Sequence, residues 1–290
     1  MEILHLDYPA LALSVVQVVL GVVVFILAKF ALGVLSPYSI DREMTSLDNP
    51  AFGLAVSGYF AGTAIIYLSA AGSAPLPLDD GAGAVFMAIG VNLAWTVAGI
   101  VALNGSRWLM DRLLVTHVRN DREISEHRNV AAGALECGAY VGSAAILAGA
   151  IRQPGGTPWT AAAIFLLGQV ALILMGHIYQ RWSGYDVEAE VRSGNLAAGV
   201  AFAMTLTALS FLMLKAISGE FISWARSLLF FAFDAVVGLF LLVFLRWVTY
   251  AALLRRASIA NEIVRDRNVN VGLIEGVFAI GIAATILVLF

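Results

Sequence analysis

The chain has 290 residues, of which 60% are hydrophobic and only 13% are charged, and its mean hydropathy is +0.88. About a quarter of the residues in a soluble domain are charged, so this composition excludes an ordinary soluble protein and indicates an integral protein of the lipid bilayer. The net charge of −3 is weak and predicts no nucleic-acid partner.

Eight apolar stretches reach the roughly 20 residues that a helix needs to cross the hydrocarbon. No basic segment precedes the first stretch, so we expect it to remain as a span rather than be removed as a signal peptide. The apolar runs are continuous rather than alternating, which favours helices over barrel strands. The predicted fold class is therefore all-α, a polytopic membrane helix bundle. The spans are predicted near 11–35, 51–71, 84–106, 130–150, 159–181, 196–217, 227–250 and 269–290.

Basic residues predict the orientation of the bundle. Of the 17 Lys and Arg residues, all but Arg152, Lys215 and Arg226 lie in or near the connections after spans one, three, five and seven. The positive-inside rule places these four connections in the cytoplasm. We therefore expect a multi-pass protein of the bacterial inner membrane, with both termini on the periplasmic side.

The sequence offers little for catalysis or metal binding. The single cysteine, Cys137, cannot form a disulfide within one chain, and the four histidines lack the spacing of a metal site. There is also no phosphate-binding loop, nucleophile elbow or soluble domain. We predict no enzyme, no catalytic residue, no cofactor and no metal.

The four basic connections share one motif, which indicates an internal repeat. Each has a glutamate followed by an apolar residue, an asparagine five or six residues later, and a glycine four residues after that. The glutamates are Glu43, Glu123, Glu190 and Glu262; the asparagines are Asn49, Asn129, Asn195 and Asn268; the glycines are Gly53, Gly133, Gly199 and Gly272.

The motif has two interpretations. In the first it is structural: asparagine is a preferred N-cap, glycine allows close approach of helices, and the acidic stretch forms a short interfacial helix. In the second, the repeated polar groups form a cytoplasmic vestibule or docking surface that gathers ions or recruits a protein partner.

A higher order of repetition divides the chain into two four-span modules, 1–152 and 153–290. Repeats one and three share the pattern of "SPYSIDREM" and "SGYDVEAEV", whereas repeats two and four share an Arg-Trp pair and a glutamate seven residues after the asparagine. Four spans return the chain to its starting side. The modules are therefore predicted to be parallel repeats, related by a pseudo-two-fold along the membrane normal.

The stretches "RSGNLAAGVAFA" and "RNVNVGLIEGVF" resemble the signature regions of the bacterial inner-membrane family catalogued as domain of unknown function 350. The resemblance covers nearly the whole chain as two copies, and "NPAFGLAVSGYF" departs from it at Pro50 and Phe52. It implies a multi-span inner-membrane protein and no established reaction or substrate.

Ionisable residues inside the spans are the candidate intramembrane site, because buried charge in a membrane is expensive and usually functional. Glu136 and Glu275 lie about 10 Å inside the boundary, at a depth similar to that of an arginine on the preceding helix. We predict two equivalent pairs, Arg107 with Glu136 and Arg246 with Glu275. Asp234 lies nearer the outer side, as part of a relay or as an interfacial acid that bonds water.

These pairs also have two interpretations. They fix helix register, or the two glutamates meet near the pseudo-two-fold and line a polar path for a proton, a cation or a cationic small molecule. The leading hypothesis is a transporter or channel-like protein. The alternative is a non-catalytic membrane scaffold or stress-response component that acts through its cytoplasmic loops, as a homo-oligomer or with a cytoplasmic protein partner.

Overall fold

A computed structural model describes residues 8–36, 38–77, 81–116, 120–253 and 258–289, and these residues form helices and turns with no strand. Eight of the helices are long and apolar enough to cross a membrane, in agreement with the eight predicted spans. They are α1 (Tyr8–Leu35), α2 (Pro50–Ser73), α3 (Gly81–Leu113), α5 (Val130–Arg152), α6 (Pro158–Trp182), α8 (Leu196–Ile217), α9 (Trp224–Leu253) and α11 (Val269–Leu289). The chain is thus a multi-pass helical bundle, and the predicted fold class is confirmed.

The third long helix continues beyond the predicted end of its span at residue 106. Helix α3 runs to Leu113 and so includes the polar segment that starts at Arg107. The span predicted from hydropathy ended at residue 106 because charged residues begin at Arg107. The helix continues because the guanidinium of Arg107 is paired with carboxylates inside the protein.

Four short segments contain the motif glutamates, and we call them the motif segments. They lie at one end of the bundle, which we call the motif end. The first is a π-helical turn, Arg42–Ser46, and the others are α4 (Asn120–Ser125), α7 (Val187–Arg192) and α10 (Ile259–Val264). The residue before each motif asparagine has a positive φ: Asp48 (47°), Arg128 (51°), Gly194 (77°) and Arg267 (48°). This left-handed residue turns the chain back into the bundle to begin the next helix.

The predicted caps are formed at the start of the helix that follows each motif. The side chain of Asn129 accepts hydrogen bonds from the backbone N–H groups of Ala131 and Ala132, and Asn49 and Asn195 make the same pair of bonds in their repeats. In the fourth repeat, Asn268 accepts one, from Asn270. The asparagine therefore satisfies backbone donors that a helix start leaves without partners.

The long helices divide into two sets by burial and packing. The four that follow a motif, α2, α5, α8 and α11, pack successively as a row of core helices, α2 on α5, α5 on α8 and α8 on α11. The other four, α1, α3, α6 and α9, are outer helices. The most apolar window is 83% buried in α5 but only 11% buried in α1. The two modules repeat the same elements in the same order, which is consistent with the predicted pseudo-two-fold repeat.

Glycines of the motif bring the core helices into close contact in three of the four repeats. A Cβ on Gly199 would lie 2.6 Å from the carbonyl oxygen of Ala131, and one on Gly272 would lie 2.5 Å from that of Ala197. Gly133 faces Ala51 in the same way. Gly53 makes no such contact among the described residues, since it meets no atom within 4 Å and no described helix lies before α2 in the row.

Candidate intramembrane site

The first predicted ion pair is present between α3 and α5. The Nε atom of Arg107 lies 2.9 Å from Glu136 Oε1, and the carboxylate is almost fully buried, with 6% of its side chain exposed. The Nε–H group is not directed at that oxygen, so the contact is an ion pair without a well-formed hydrogen bond. Two further acids reach the same guanidinium: Asp111 Oδ2 lies 3.9 Å from Nε, and Asp121 Oδ1 contacts Nη2.

The second predicted pair is present between α9 and α11. Arg246 Nη2 contacts Glu275 Oε1, and the Tyr179 hydroxyl donates a 3.1 Å hydrogen bond to the same oxygen. The guanidinium also lies 5.1 Å from the centre of the Tyr179 ring and 5.5 Å from that of Tyr250. A buried arginine between two aromatic faces and one carboxylate is well neutralised.

The two copies differ in charge. The positions that hold Asp111 and Asp121 in the first copy hold Tyr250 and Ala260 in the second. The first site therefore sets three carboxylates against one guanidinium, a formal charge of −2 when all are ionised, whereas the second balances one carboxylate against one guanidinium. Among the described residues, only the first site has the acidic excess that attracts a cation or a proton.

A tyrosine accompanies each glutamate, but from a different helix in each copy. Tyr179 on α6 bonds Glu275, whereas its counterpart in the first copy is Leu32. Tyr140 on α5 lies one helical turn after Glu136 and lines the same cavity, whereas its counterpart is Ala279. The exchange keeps an aromatic hydroxyl near each glutamate. Sequence reasoning missed both tyrosines, although the four-residue spacing of Glu136 and Tyr140 places them on one helix face.

A polar stripe continues from the first site toward the middle of the bundle. Glu136, Tyr140 and Ser143 lie on one face of α5 because they are spaced by four and three residues. The Ser143 hydroxyl donates to Gln169 Oε1 on α6 at 3.2 Å, and Gln169 is fully buried. The second copy has Ala279 and Ile282 in place of the tyrosine and the serine, so its stripe is apolar.

A small cavity of about 20 Å³ lies beside Glu136. That volume is enough for one water molecule, which needs about 10–15 Å³. Within the described part of the chain, Glu136 Oε2 and the Tyr140 hydroxyl are buried without a hydrogen-bond partner. The cavity lining also includes Tyr38, between α1 and the first motif segment, and Asp121 of α4, whose side chain is 53% exposed. The first site is therefore close to the surface of the motif end.

The two glutamates do not meet, which corrects the hypothesis of a shared path at the pseudo-two-fold. Helix α8 lies between α5 and α11 in the row of core helices. Each glutamate instead faces the outer helix of its own repeat, because that helix supplies its arginine.

Asp234 does not lie near either arginine–glutamate pair. It lies half-buried on α9, twelve residues or about 18 Å along the helix from Arg246. It makes no ion pair with a described residue, so the structure assembles no relay between Asp234 and Glu275. Two other polar residues of the spans have local partners: Lys29 pairs with Asp41 at 2.7 Å, and His177 Nε2 lies 2.8 Å from the Leu113 carbonyl oxygen.

The motif glutamates are bound by the motif asparagines. In each repeat the asparagine Nδ2 donates to the glutamate at 2.8–3.0 Å, in the pairs Asn49–Glu43, Asn129–Glu123, Asn195–Glu190 and Asn268–Glu262. The same nitrogen of the first three asparagines also bonds a backbone carbonyl of the next repeat. This arrangement favours the structural interpretation of the motif.

The fold and this buried ion-pair site define a polytopic α-helical membrane protein built from two copies of one module. Comparison with protein families then identifies the module: the model described as Domain of Unknown Function (DUF350) matches residues 6–151 and again residues 155–289. The chain belongs to this family, as two tandem copies. No curated protein and no solved structure matched the chain.

Proposed function

We propose that the protein is a transport or channel-like protein without enzymatic activity, which binds a proton or small cation at the first-copy site. The observation that supports this most is the excess of carboxylate around Arg107, beside a water-sized cavity that reaches Glu136. Buried carboxylates in membrane proteins that have such neighbours serve in proton and ion pathways.

The path suggested by the side chains begins at the exposed Asp121 and passes the cavity to Glu136 and Tyr140. Ser143 and Gln169 extend it toward the middle of the bundle. In this path a proton enters at Asp121 and is held by Glu136, and the hydroxyl groups of Tyr140 and Ser143 mark the direction in which the polar side chains continue. Arg107 keeps the site from accumulating more negative charge than a buried position can hold.

In this proposal the second-copy site is structural. Its single carboxylate is matched by Arg246 and by the Tyr179 hydroxyl, and no polar stripe follows it. A balanced buried pair contributes little net stability but sets the register of the helices that it joins.

The cell location is proposed from the distribution of basic residues. With the Arg-rich motif end in the cytoplasm of a bacterium, the protein crosses the inner membrane eight times. The first site is then reached from the cytoplasm, since Asp121 of its lining belongs to α4 and Tyr38 lies between α1 and the first motif segment.

Flux measurements in proteoliposomes test the proposal. Under a potassium-diffusion potential, wild-type protein is expected to conduct protons or a small cation, with entry measured by an internal pH dye or cation dye. Glu136→Gln should abolish the flux because it removes the titratable group while keeping the shape of the side chain. Glu275→Gln is the matched control: it makes the same change in the second copy and should leave the flux intact.

A tyrosine exchange gives a second control at the same site. Tyr140→Ala should reduce the flux, and adding Leu32→Tyr should restore part of it, because that position supplies the hydroxyl in the second copy. Folded wild-type protein that conducts no ion, or equal flux from wild type and Glu136→Gln, contradicts the transport proposal. If the folded wild-type protein conducts no ion, the scaffold hypothesis is favoured instead.

A further inference from the structure

Neighbouring repeats are joined by the same hydrogen bond three times. The asparagine of one repeat donates its Nδ2 to the carbonyl oxygen of the residue that follows the motif glutamate in the next repeat. The distances are 2.9 Å for Asn49 to Ile124, 2.8 Å for Asn129 to Val191 and 2.8 Å for Asn195 to Ile263. The bond always runs from the earlier repeat to the later one.

The core helices also meet in a directional way. Each uses one face toward the preceding repeat, its leading face, and another toward the following repeat, its trailing face. Gly138 on the trailing face of α5 would place a Cβ 2.5 Å from the carbonyl oxygen of Ala203 on the leading face of α8. Met204 and Gly276 meet at the same level one repeat later, and Gly62 and Ala144 meet at a deeper level. Each of these levels includes at least one small residue.

The leading face of α2 is uncovered among the described residues. It presents Gly53, Ser57, Ala61, Ala64 and Leu68, and Leu68 is 66% exposed. A groove of about 740 Å³ runs between α1 and the half of α2 that begins at Ala64, and its lining is mainly apolar. In the later repeats the corresponding place holds the preceding core helix, since α2 contacts α3, α5 contacts α6 and α8 contacts α9.

The trailing face of α11 is uncovered in the complementary way. Val277 and Val288 are 56% and 77% exposed, and a Cβ on Gly281 would meet no atom within 4 Å. The Nδ2 of Asn268 donates to Glu262 at 3.0 Å, and among the described residues it has no bond to a following repeat. The described residues of α2 and α11 make no packing contact with each other comparable with those inside the row.

From the continuity of this contact, we propose that a second copy of the chain docks head to tail, with α11 of one copy in the α1–α2 groove of the next. The residue pairing seen between neighbouring repeats within the chain predicts which residues of the two copies meet. Asn268 bonds the Met44 carbonyl, which corresponds to those of Ile124, Val191 and Ile263. Along the helices, Val277 meets Ser57, and Gly281 meets Ala64.

These assigned pairs have the same character as the internal ones. Val277 faces a small residue as Met204 does, and two small residues meet at the Gly281 level as they do at Gly62. Asn270 stands at the motif end where the other repeats have alanine, and the residue assigned opposite it is Gly53, the counterpart of Gly133, Gly199 and Gly272. Close packing at small residues and hydrogen bonds between helices are the forces that join helices inside a bilayer. The contact is heterologous, because two different faces meet.

Cysteine cross-linking tests this arrangement in native membranes. The background is Cys137→Ser, which places serine where the first repeat already has Ser57. Ser57→Cys and Val277→Cys are made in separate chains and co-expressed with different tags. The core helices approach closely at this level within the chain, which suits the short Cβ separation of a disulfide. We expect oxidation to link the two differently tagged chains, and each single variant expressed alone to give no cross-linked product.

A 57–57 or 277–277 link shows an isologous contact and overturns the proposal. So does the absence of any link from folded protein, which means that lipid covers both faces. A second measurement does not depend on oxidation. Gly281→Phe should shift the wild-type oligomer to monomers in native mass spectrometry, whereas Gly90→Phe, at another uncrowded helix glycine, should not. An unchanged oligomer in Gly281→Phe also overturns the proposal.

Discussion

At the residue scale, one asparagine per repeat combines three tasks. It caps the following helix, fixes the motif glutamate, and in the first three repeats bonds the next repeat. An amide suits all three because its oxygen accepts while its nitrogen donates twice. Aspartate could cap the helix but could not donate to the glutamate or the carbonyl.

The missing third bond of Asn268 gives a prediction about stability. Asn195→Ala and Asn268→Ala each remove a cap, which contributes about 1 kcal/mol. Asn195→Ala also leaves the carbonyl of the buried Ile263 without its partner, which adds about 1–3 kcal/mol. Asn195→Ala should therefore lower the unfolding free energy more than Asn268→Ala, as measured by denaturant titration of dispersed monomers. Equal losses would show that the bond between repeats contributes nothing.

At the scale of helices, the two ion pairs join outer to core helices in two different ways. Arg107 is shared among three carboxylates, whereas Arg246 has Glu275 as its only carboxylate partner among the described residues. These ion pairs thus join α3 to α5 and to the motif segment α4, whereas among the described residues the ion pair of α9 joins it to α11.

This difference predicts unequal effects of the same substitution. Glu275→Ala should lower the unfolding free energy by about 3–5 kcal/mol, because it leaves Arg246 buried without a carboxylate. Glu136→Ala should cost less, since Asp111 and Asp121 still neutralise Arg107. Thermal unfolding of the two variants in one detergent compares them. Arg246→Met combined with Glu275→Met should recover most of the loss, and failure to recover would indicate that packing, not charge, holds this junction.

At the scale of the whole molecule, the bundle is a row of four like repeats with directional contacts. Burial follows position in the row: the most apolar windows of α5 and α8 are 83% and 72% buried, whereas those of α2 and α11 are 56% and 39% buried. The open faces at the two ends are the physical basis of the head-to-tail assembly proposed above.

The orientation of the row gives a prediction for intact cells. In the Cys137→Ser background, a cysteine at Glu220, between α8 and α9, should react with a membrane-impermeant maleimide added outside. A cysteine at Glu126, exposed beside α4, should react only after the cells are opened. The reverse pattern would place the motif end outside and would contradict the positive-inside assignment.

Several features of this protein could be derived from sequence because they depend on local or one-dimensional patterns. The length of the apolar stretches predicted the eight helices, and the spacing of the motif predicted the caps and the duplication. The depth of each charged residue below the membrane boundary, counted in residues, predicted both arginine–glutamate pairs. Each of these follows from the fixed rise of a helix and from the cost of unpaired charge in lipid.

Only the tertiary structure decided which repeats touch and in what order. A repeat motif does not show whether equivalent surfaces of the repeats contact each other or whether each repeat contacts the next through a different surface. The separation of the two glutamates by α8, the distance of Asp234 from both ion pairs and the uncovered side of Gly53 were therefore not predicted. For the same reason, the sequence did not show that Tyr140 accompanies Glu136 in the first copy whereas Tyr179 accompanies Glu275 in the second. Residues on different helices become neighbours only when the three-dimensional packing brings their faces together.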